Sequence, residues 1–449
     1  LQEATVIQYA QVLKHPHLSG LWLSQVLSAI GDQLYSIAMI WMAVELGGPA
    51  AGLVVASGAI SGFVFGLFGG VYADRWNRRA TMILVDVLRA IVVLCLAAAA
   101  HCTPLNLWHL GIASVLVSGL GALFDPAITA SLPELVKDES KLQTMNALMT
   151  MNHRVARAVG PALAGWLVAV TELHHFFTLD AITFIVSAIA IFSIGSKYRW
   201  QPEQTHTHHG LAGIWADISR GAKIVLEREQ ILWAFLIYVG ANIAWAAGYL
   251  VGLPLLVKQL PHADVGTYGT IIAAYGVGSI SSNIVMGTVS SSKKMAFVSI
   301  SQLIFAIGFL MLAFSNNVWL ACFASLFAAS GGPVGDVMLM VMLQTGIPRN
   351  DLGKVFALRQ CVMYLGGAVG LFFATELFKA CSPMMGIAIS AGLFLLLGIA
   401  GLMKFGFVEF PHHLYDSRET APTEIAPTEK APTETAPTET DSIQSAAKK

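Results

Sequence analysis

Apolar positions along the chain gather into runs too long and too evenly greasy for the core helices of a soluble domain. A bilayer core about 30 Å thick is crossed by roughly 20 apolar residues in helical conformation. Twelve stretches meet that measure: 20–46, 51–73, 80–100, 105–124, 144–170 and 176–194, then 231–256, 268–289, 296–314, 318–343, 355–378 and 383–405. The pattern predicts an all-α membrane protein in which an N-terminal six-helix lobe (1–194) and a C-terminal six-helix lobe (231–409) flank a linker (195–230), with a tail beyond (410–449). In the linker, Leu211, Ile214, Trp215, Ile218, Ala222 and Val225 recur at helical spacing opposite Asp217, Arg220 and Lys223, which predicts a helix lying in the membrane surface. The tail repeats APTE-type pentads, whose prolines exclude helix and whose composition builds no core, so disorder is expected there.

Composition agrees: 55% of residues are hydrophobic and 12% charged, about half the charge of an ordinary soluble domain. A net charge of −1 gives no broad basic surface for capturing nucleic acid. The first apolar run exceeds the h-region of a signal peptide and should remain as a helix in the membrane. Basic residues sort by side. Lys14, the Arg75, Arg78 and Arg79 cluster, Lys137, Lys141, the linker, Lys293, Lys294 and Arg349 fall on one set of connections, and only Lys258 and Lys379 on the other. Loops rich in Lys and Arg stay inside, so both termini are expected in the cytoplasm.

Ionisable residues inside apolar runs need a reason, because each costs about 2.5–3.5 kcal/mol at a helix centre. Asp32 lies midway along the first run, and Gln25, Ser28, Asp32, Tyr35 and Ser36 paint one polar stripe on it. Asp32 reads as a proton carrier or, alternatively, as half of a structural ion pair. Arg154 and Arg157, one turn apart in the fifth run, face either Asp32 or an anionic part of a substrate. Asp336 is a second proton-carrier candidate. Tyr238, Asn242, Trp245 and Tyr249 form a polar and aromatic stripe on the seventh run, and Gln360 with Tyr364 a shorter one on the eleventh, both suited to gripping a flat or amphipathic molecule. Asp86 and Arg89 are expected to brace the connection between the second and third runs.

Five cysteines are scattered without a paired spacing, and His206, His208 and His209 have no carboxylate or thiol beside them, so no metal site is expected. The chain has no phosphate-binding G-x-x-x-x-G-K-[ST] loop and no nucleophile with a matched base. It reads as neither an enzyme nor an ATP-driven pump, and no cofactor is expected.

The halves echo one another: Ala147-Leu148 precedes Gly160 as Ala357-Leu358 precedes Gly370, and Gly70, Asp74, Arg78 and Arg79 are matched by Gly287, Ser291, Lys293 and Lys294. Such repeats suit a two-lobed transporter with its site between the lobes. After the second run stands G-x-x-x-D-R-x-x-R-R, formed by Gly70, Asp74, Arg75, Arg78 and Arg79. Here the sequence resembles the major facilitator superfamily. Stretches such as SAIGDQLYSIAMIW, DPAITASLPELV, LDAITFIVSA and LGKVFALRQ resemble its macrolide-efflux and enterobactin-exporter branch of drug:proton antiporters. The resemblance implies the major facilitator fold, with those five residues as a cytoplasmic latch between the lobes. Gly160, Pro161 and Gly165 keep part of the family's antiporter motif on the fifth helix, while alanines stand at 147, 156 and 164; a bend is expected at Pro161. The implied activity is export of a small amphipathic molecule or siderophore across a bacterial inner membrane, by a monomer in the lipid bilayer driven by the proton gradient. Lysophospholipid flipping and a non-transporting sensor or scaffold of the same fold are the alternatives.

Overall fold

A computed structural model describes residues 14–73, 76–136, 139–195, 211–261, 263–406 and 408–410. Among them the regular elements are helices. The first half holds α1 (Pro16–Gly47), α2 (Ala51–Ala73), α3 (Arg78–Cys102), α4 (Leu107–Leu135), α5 (Glu139–Leu167) and α6 (His174–Ser193). After α7 (Leu211–Leu226) come α8 (Glu229–Val257), α9 (Val265–Met286), α10 (Lys294–Ala313), α11 (Val318–Gly346), α12 (Arg349–Ala380) and α13 (Pro383–Phe405). By length and apolarity, ten segments of the described residues suit a membrane crossing. Twelve were expected. The difference is physical: Pro16–Leu67 is one continuous apolar stretch holding α1 and most of α2, and the polar residues of α5 keep that helix out of the count.

Local chemistry sets the helix ends. Pro16 opens α1, where its missing N–H costs nothing, and Gly48 turns the chain after it at a φ of 53° that favours glycine. α4 and α11 start in the same way. Asn106 accepts from the backbone N–H of Trp108 and His109, and Asn317 from that of Leu320. Two residues beyond each asparagine an indole is almost bare, Trp108 at 80% and Trp319 at 84%. An amphipathic ring in that place suits the boundary between lipid and water. α8 is interrupted by a π-helical segment, Ala246–Gly252. Pro254 lacks an N–H for the carbonyl of Leu250, so the ordinary ladder cannot continue there and the wider turn takes up the slack.

Helices α1–α6 form one lobe and α8–α13 the other. At one end a single apolar core runs through both, joining Leu34, Trp41, Phe176 and Phe184 to Tyr249, Leu256, Phe309 and Phe394. At the other end each lobe keeps its own cluster. Leu21, Met82, Phe124 and Met145 serve the first, and Ile231, Phe235, Met338 and Met342 the second. The lobes are therefore joined at the end remote from residues 16 and 405 and parted at the end that carries them.

Two seams make the junction, α5 on α9 and α2 on α12. At the first the backbones touch: a Cβ on Gly269 would lie 3.0 Å from the carbonyl oxygen of Pro161 and 3.1 Å from the nitrogen of Gly165. Small residues permit that approach. At the second, a Cβ on Gly52 would meet the carbonyl oxygen of Leu371 at 2.6 Å. Lys258 donates to the carbonyl of Val44 at 3.5 Å, and the rings of Trp41 and Tyr268 sit 5.7 Å apart across the joined end.

Outward faces are apolar, with Ile189, Phe192, Ile284 and Leu396 each more than 60% exposed. In water each would forgo about 1.5–3 kcal/mol of burial; against acyl chains it forgoes nothing. α7 rests on the second lobe at its parted end, Gly221 lying against the carbonyl of Lys354 and Arg220 pairing with Asp351 at 3.2 Å. Trp215 on α7 points outward, 71% exposed. His206, His208, His209 and the APTE repeats lie outside the described residues.

Candidate functional site

In the first lobe the site is built around Asp32, at the middle of α1. Its Oδ1 lies 2.7 Å from Nη2 of Arg89 on α3, the arginine side chain 11% exposed and the aspartate 38%. The guanidinium carbon sits 4.0 Å from the centre of the Phe184 ring on α6, a cation–π contact that holds the arginine in place. One turn before Phe184, Asp180 is fully buried, with Thr183 donating to its Oδ1 at 3.4 Å. Gly31 makes room for it: a Cβ there would stand 2.6 Å from the same oxygen. One turn before Arg89, Asp86 is 1% exposed and accepts from Ser187, which itself accepts from Gln25 at 2.8 Å. Three carboxyl groups and one guanidinium thus tie α1, α3 and α6 together inside the lobe.

The second lobe carries a smaller constellation. The Tyr238 hydroxyl on α8 donates to Oδ1 of Asp336 on α11 and accepts from Arg359 on α12 at 2.9 Å; Arg359 also lies 3.5 Å from Asp336. The Asp336 side chain is 51% exposed. Arg157, exposed on α5 of the other lobe, is near enough for its charge to act on Asp336 and Tyr275. Beside this group runs an aromatic platform. The indole of Trp245 donates to the Tyr275 hydroxyl at 3.0 Å and stacks on Tyr249, ring centres 5.9 Å apart.

The expected site residues divide between cleft and interior. Asp32, Asp336, Arg157, Gln360 and Tyr364 are accessible, the last 41% exposed with its ring 6.4 Å from Phe63 of the other lobe. Tyr35 turns inward, 7% exposed against Phe177, so its hydroxyl is not presented to a ligand. Asn242 spends its amide on the Met363 carbonyl at 3.2 Å. Arg154 lies on α5, its side chain outside the described residues, as are Asp74 and Arg75. Gly70 falls in the last turn of α2. Arg78 donates to the Ala130 carbonyl and Arg79 to the Phe192 carbonyl, both at 2.7 Å. Those carbonyls lie near the C-terminal ends of α4 and α6, where the helix dipole favours a cation. Gly160 packs against Gln33 of α1, while Pro161 and Gly165 form the seam with α9.

Arg89 departs from its expected place beside the latch. Eleven residues into α3, about 16 Å at 1.5 Å per residue, it is beyond reach of that connection and faces Asp32 instead. Asp180 and Arg359 went unrecognised, although each is a charge within an apolar run, the same signal that marked Asp32. Among the described residues no group of three or more His, Cys, Asp or Glu could hold a metal ion.

Comparison with known proteins agrees with this architecture. The chain is 23% identical to the uncharacterised MFS-type transporter YfiS of Bacillus subtilis, over 88% of its own length and 95% of the relative's. It is 28% identical to macrolide efflux protein A of Streptococcus pyogenes over 38% of this chain and 42% of that one. With the enterobactin exporter EntS of Shigella boydii it shares 22% identity over 90% and 95% of the two chains. The crystal structure of a mutant of the nucleoside transporter NupG superposes with a TM-score of 0.66 at 14% identity, covering 86% of this chain and all of that one. Residues 9–428 match the transmembrane secretion effector family, and the chain belongs to that family of major facilitator transporters.

Proposed function

We propose that the protein exports a small amphipathic molecule or a siderophore in exchange for protons, its two lobes rocking about a site between them. The observation that carries this is the pair of lobes joined at one end and parted at the other, with the mid-helix carboxylates of Asp32 and Asp336 38% and 51% exposed. A carboxylate at that depth persists only where water or a partner reaches it, and a wet cleft supplies the water. With the basic connections inside, the parted end faces the cytoplasm and this conformation receives cargo from within. Arg157 near Asp336 favours cargo with anionic groups, and the half-buried Trp245, backed by the buried Tyr249 ring, favours a flat one. The relatives named for macrolide efflux and enterobactin export support the outward direction.

The test is transport in proteoliposomes under an imposed pH gradient, with a macrolide and enterobactin as probes. Wild type is expected to accumulate a probe against its own gradient, and Asp32→Asn to lose that response. Transport indifferent to the pH gradient in wild type removes the proton from the reaction. Binding without movement of either probe points to a sensor.

A further inference from the structure

We infer that the buried carboxyl of Asp180, with Asp86 beside it, stores the exchanged proton, and that Arg89 is the arm that decides which carboxylate stays ionised. This rests on the proton-exchange reading above.

The starting point is a count of charges. Asp32, Asp86 and Asp180 surround Arg89, whose guanidinium keeps its proton under all ordinary conditions. Were all three acids ionised, two negative charges would stand uncompensated inside the lobe, where an unpaired ion is costly. The geometry shows which acid is served: Nη2 of Arg89 bonds Oδ1 of Asp32. Oδ2 of Asp180 and Oδ2 of Asp86 are buried and have no hydrogen-bond partner among the described residues. A carboxylate with a buried, unserved oxygen is the expensive form; the neutral acid carries no charge to solvate.

The surroundings suit a store. The groups acting on Asp180 come from three helices: Asp32 and Tyr35 on α1, Arg89 and Asp86 on α3, and Thr183 on its own helix α6. The charge of Asp125 on α4 also acts on Arg89. The Tyr35 hydroxyl is buried and without a partner among the described residues, so a hydroxyl able to give or take a hydrogen bond lies in the same pocket. Access is unequal. Asp32 is 38% exposed, whereas Asp180 is sealed behind Phe184 and Gly31.

These features make one device. When the exposed Asp32 takes up a proton, its hold on Arg89 weakens. The guanidinium, already lying over Phe184 one turn from Asp180, turns to the buried carboxyl, and the proton stored there passes to the Tyr35 hydroxyl, whose own proton moves on to water in the cleft. One proton enters as one departs, and the cluster keeps its charge throughout. Asp32 is the entrance and Asp180 the store.

Infrared spectroscopy of the full-length protein in detergent, without substrate, tests this. A protonated carboxyl gives a C=O stretch that moves in D2O. At neutral pH the band is expected in wild type, reduced in Asp32→Asn, whose asparagine imitates the protonated entrance and frees Arg89 for Asp180, and lost or reduced in Asp180→Asn. Asparagine imitates the neutral acid, so the thermal unfolding temperature of Asp180→Asn stays near that of wild type. In proteoliposomes Asp180→Asn moves a macrolide or enterobactin down its gradient without responding to pH, and Asp180→Glu regains part of the response.

A band unchanged in both Asp180→Asn and Asp86→Asn overturns the inference, as does undiminished pH-driven transport by Asp180→Asn. If Asp180→Asn does not fold, Gly31→Ala, which aims a methyl at the Asp180 carboxyl, decides in its place: a shifted band supports the neutral store and an unchanged band overturns it. Wild type that shows the band but no pH-driven transport defeats the exchange reading and leaves the stored proton standing.

Discussion

Arg89 and Asp32 meet at 2.7 Å and fasten α3 to α1 in the middle of the first lobe. Removing the cation alone leaves neighbouring carboxyls without their counter-charge, which in buried pairs costs about 3–5 kcal/mol. Arg89→Met is therefore expected to lower the thermal unfolding temperature in detergent markedly. Arg89→Met combined with Asp32→Asn should lose less than the sum of the single changes, because the groups act as a unit. Additive losses would show that the two side chains are not coupled.

The α5–α9 seam predicts a conformational variant. Valine in place of Gly269 puts methyl groups where the Pro161 carbonyl and Gly165 backbone now stand. The joined end is expected to open and the parted end to close. Distances between spin labels on the lobe ends measure this; populations identical to wild type would mean that the seam does not govern the balance.

Tyr238 links Asp336 to Arg359 through one hydroxyl. Tyr238→Phe keeps the ring under the guanidinium and removes both hydrogen bonds, a change of about 1.5–3 kcal/mol for bonds to charged groups. If the trio positions Asp336 for coupling, the variant transports a macrolide or enterobactin with a lower maximal rate at similar half-saturation. Weakened half-saturation with an unaltered rate would instead place the trio in cargo binding.

Gly278 on α9 admits no larger residue. A Cβ there would meet the backbone of Leu326 on α11, with its carbonyl carbon at 2.9 Å and its Cα at 3.0 Å. Overpacking costs about 1–3 kcal/mol and sometimes more. Gly278→Ala should thus reduce the yield of folded protein on size exclusion, whereas Gly392→Ala, with open space around it, should match wild type.

Much of the architecture was legible because an apolar run reports the part of a helix that lies in lipid. The run at 51–73 coincides with α2, but those at 20–46 and 355–378 fall short of α1 and α12, whose polar ends extend into water. Asp32 stood out as a charge alone in a greasy segment. Arg89 stood out as well, but as a brace for the connection after α2; its meeting with Asp32 depends on the packing of α1 on α3, which no local pattern encodes. Asp180 sat unremarked in the LDAITF stretch for the same reason: its meaning comes from Gly31 and Arg89 on other helices. The π-helical segment of α8 was also hidden, with Gly248, Gly252 and Pro254 as its only local hints.

Trp108 and Trp319 occupy matching places after matching asparagines, one on each flank, and both indoles are nearly bare. Rings of this kind settle at the headgroup level. The molecule consequently floats at a height set by two moorings on opposite sides, and each half can tilt about its own mooring without riding up or sinking in the bilayer.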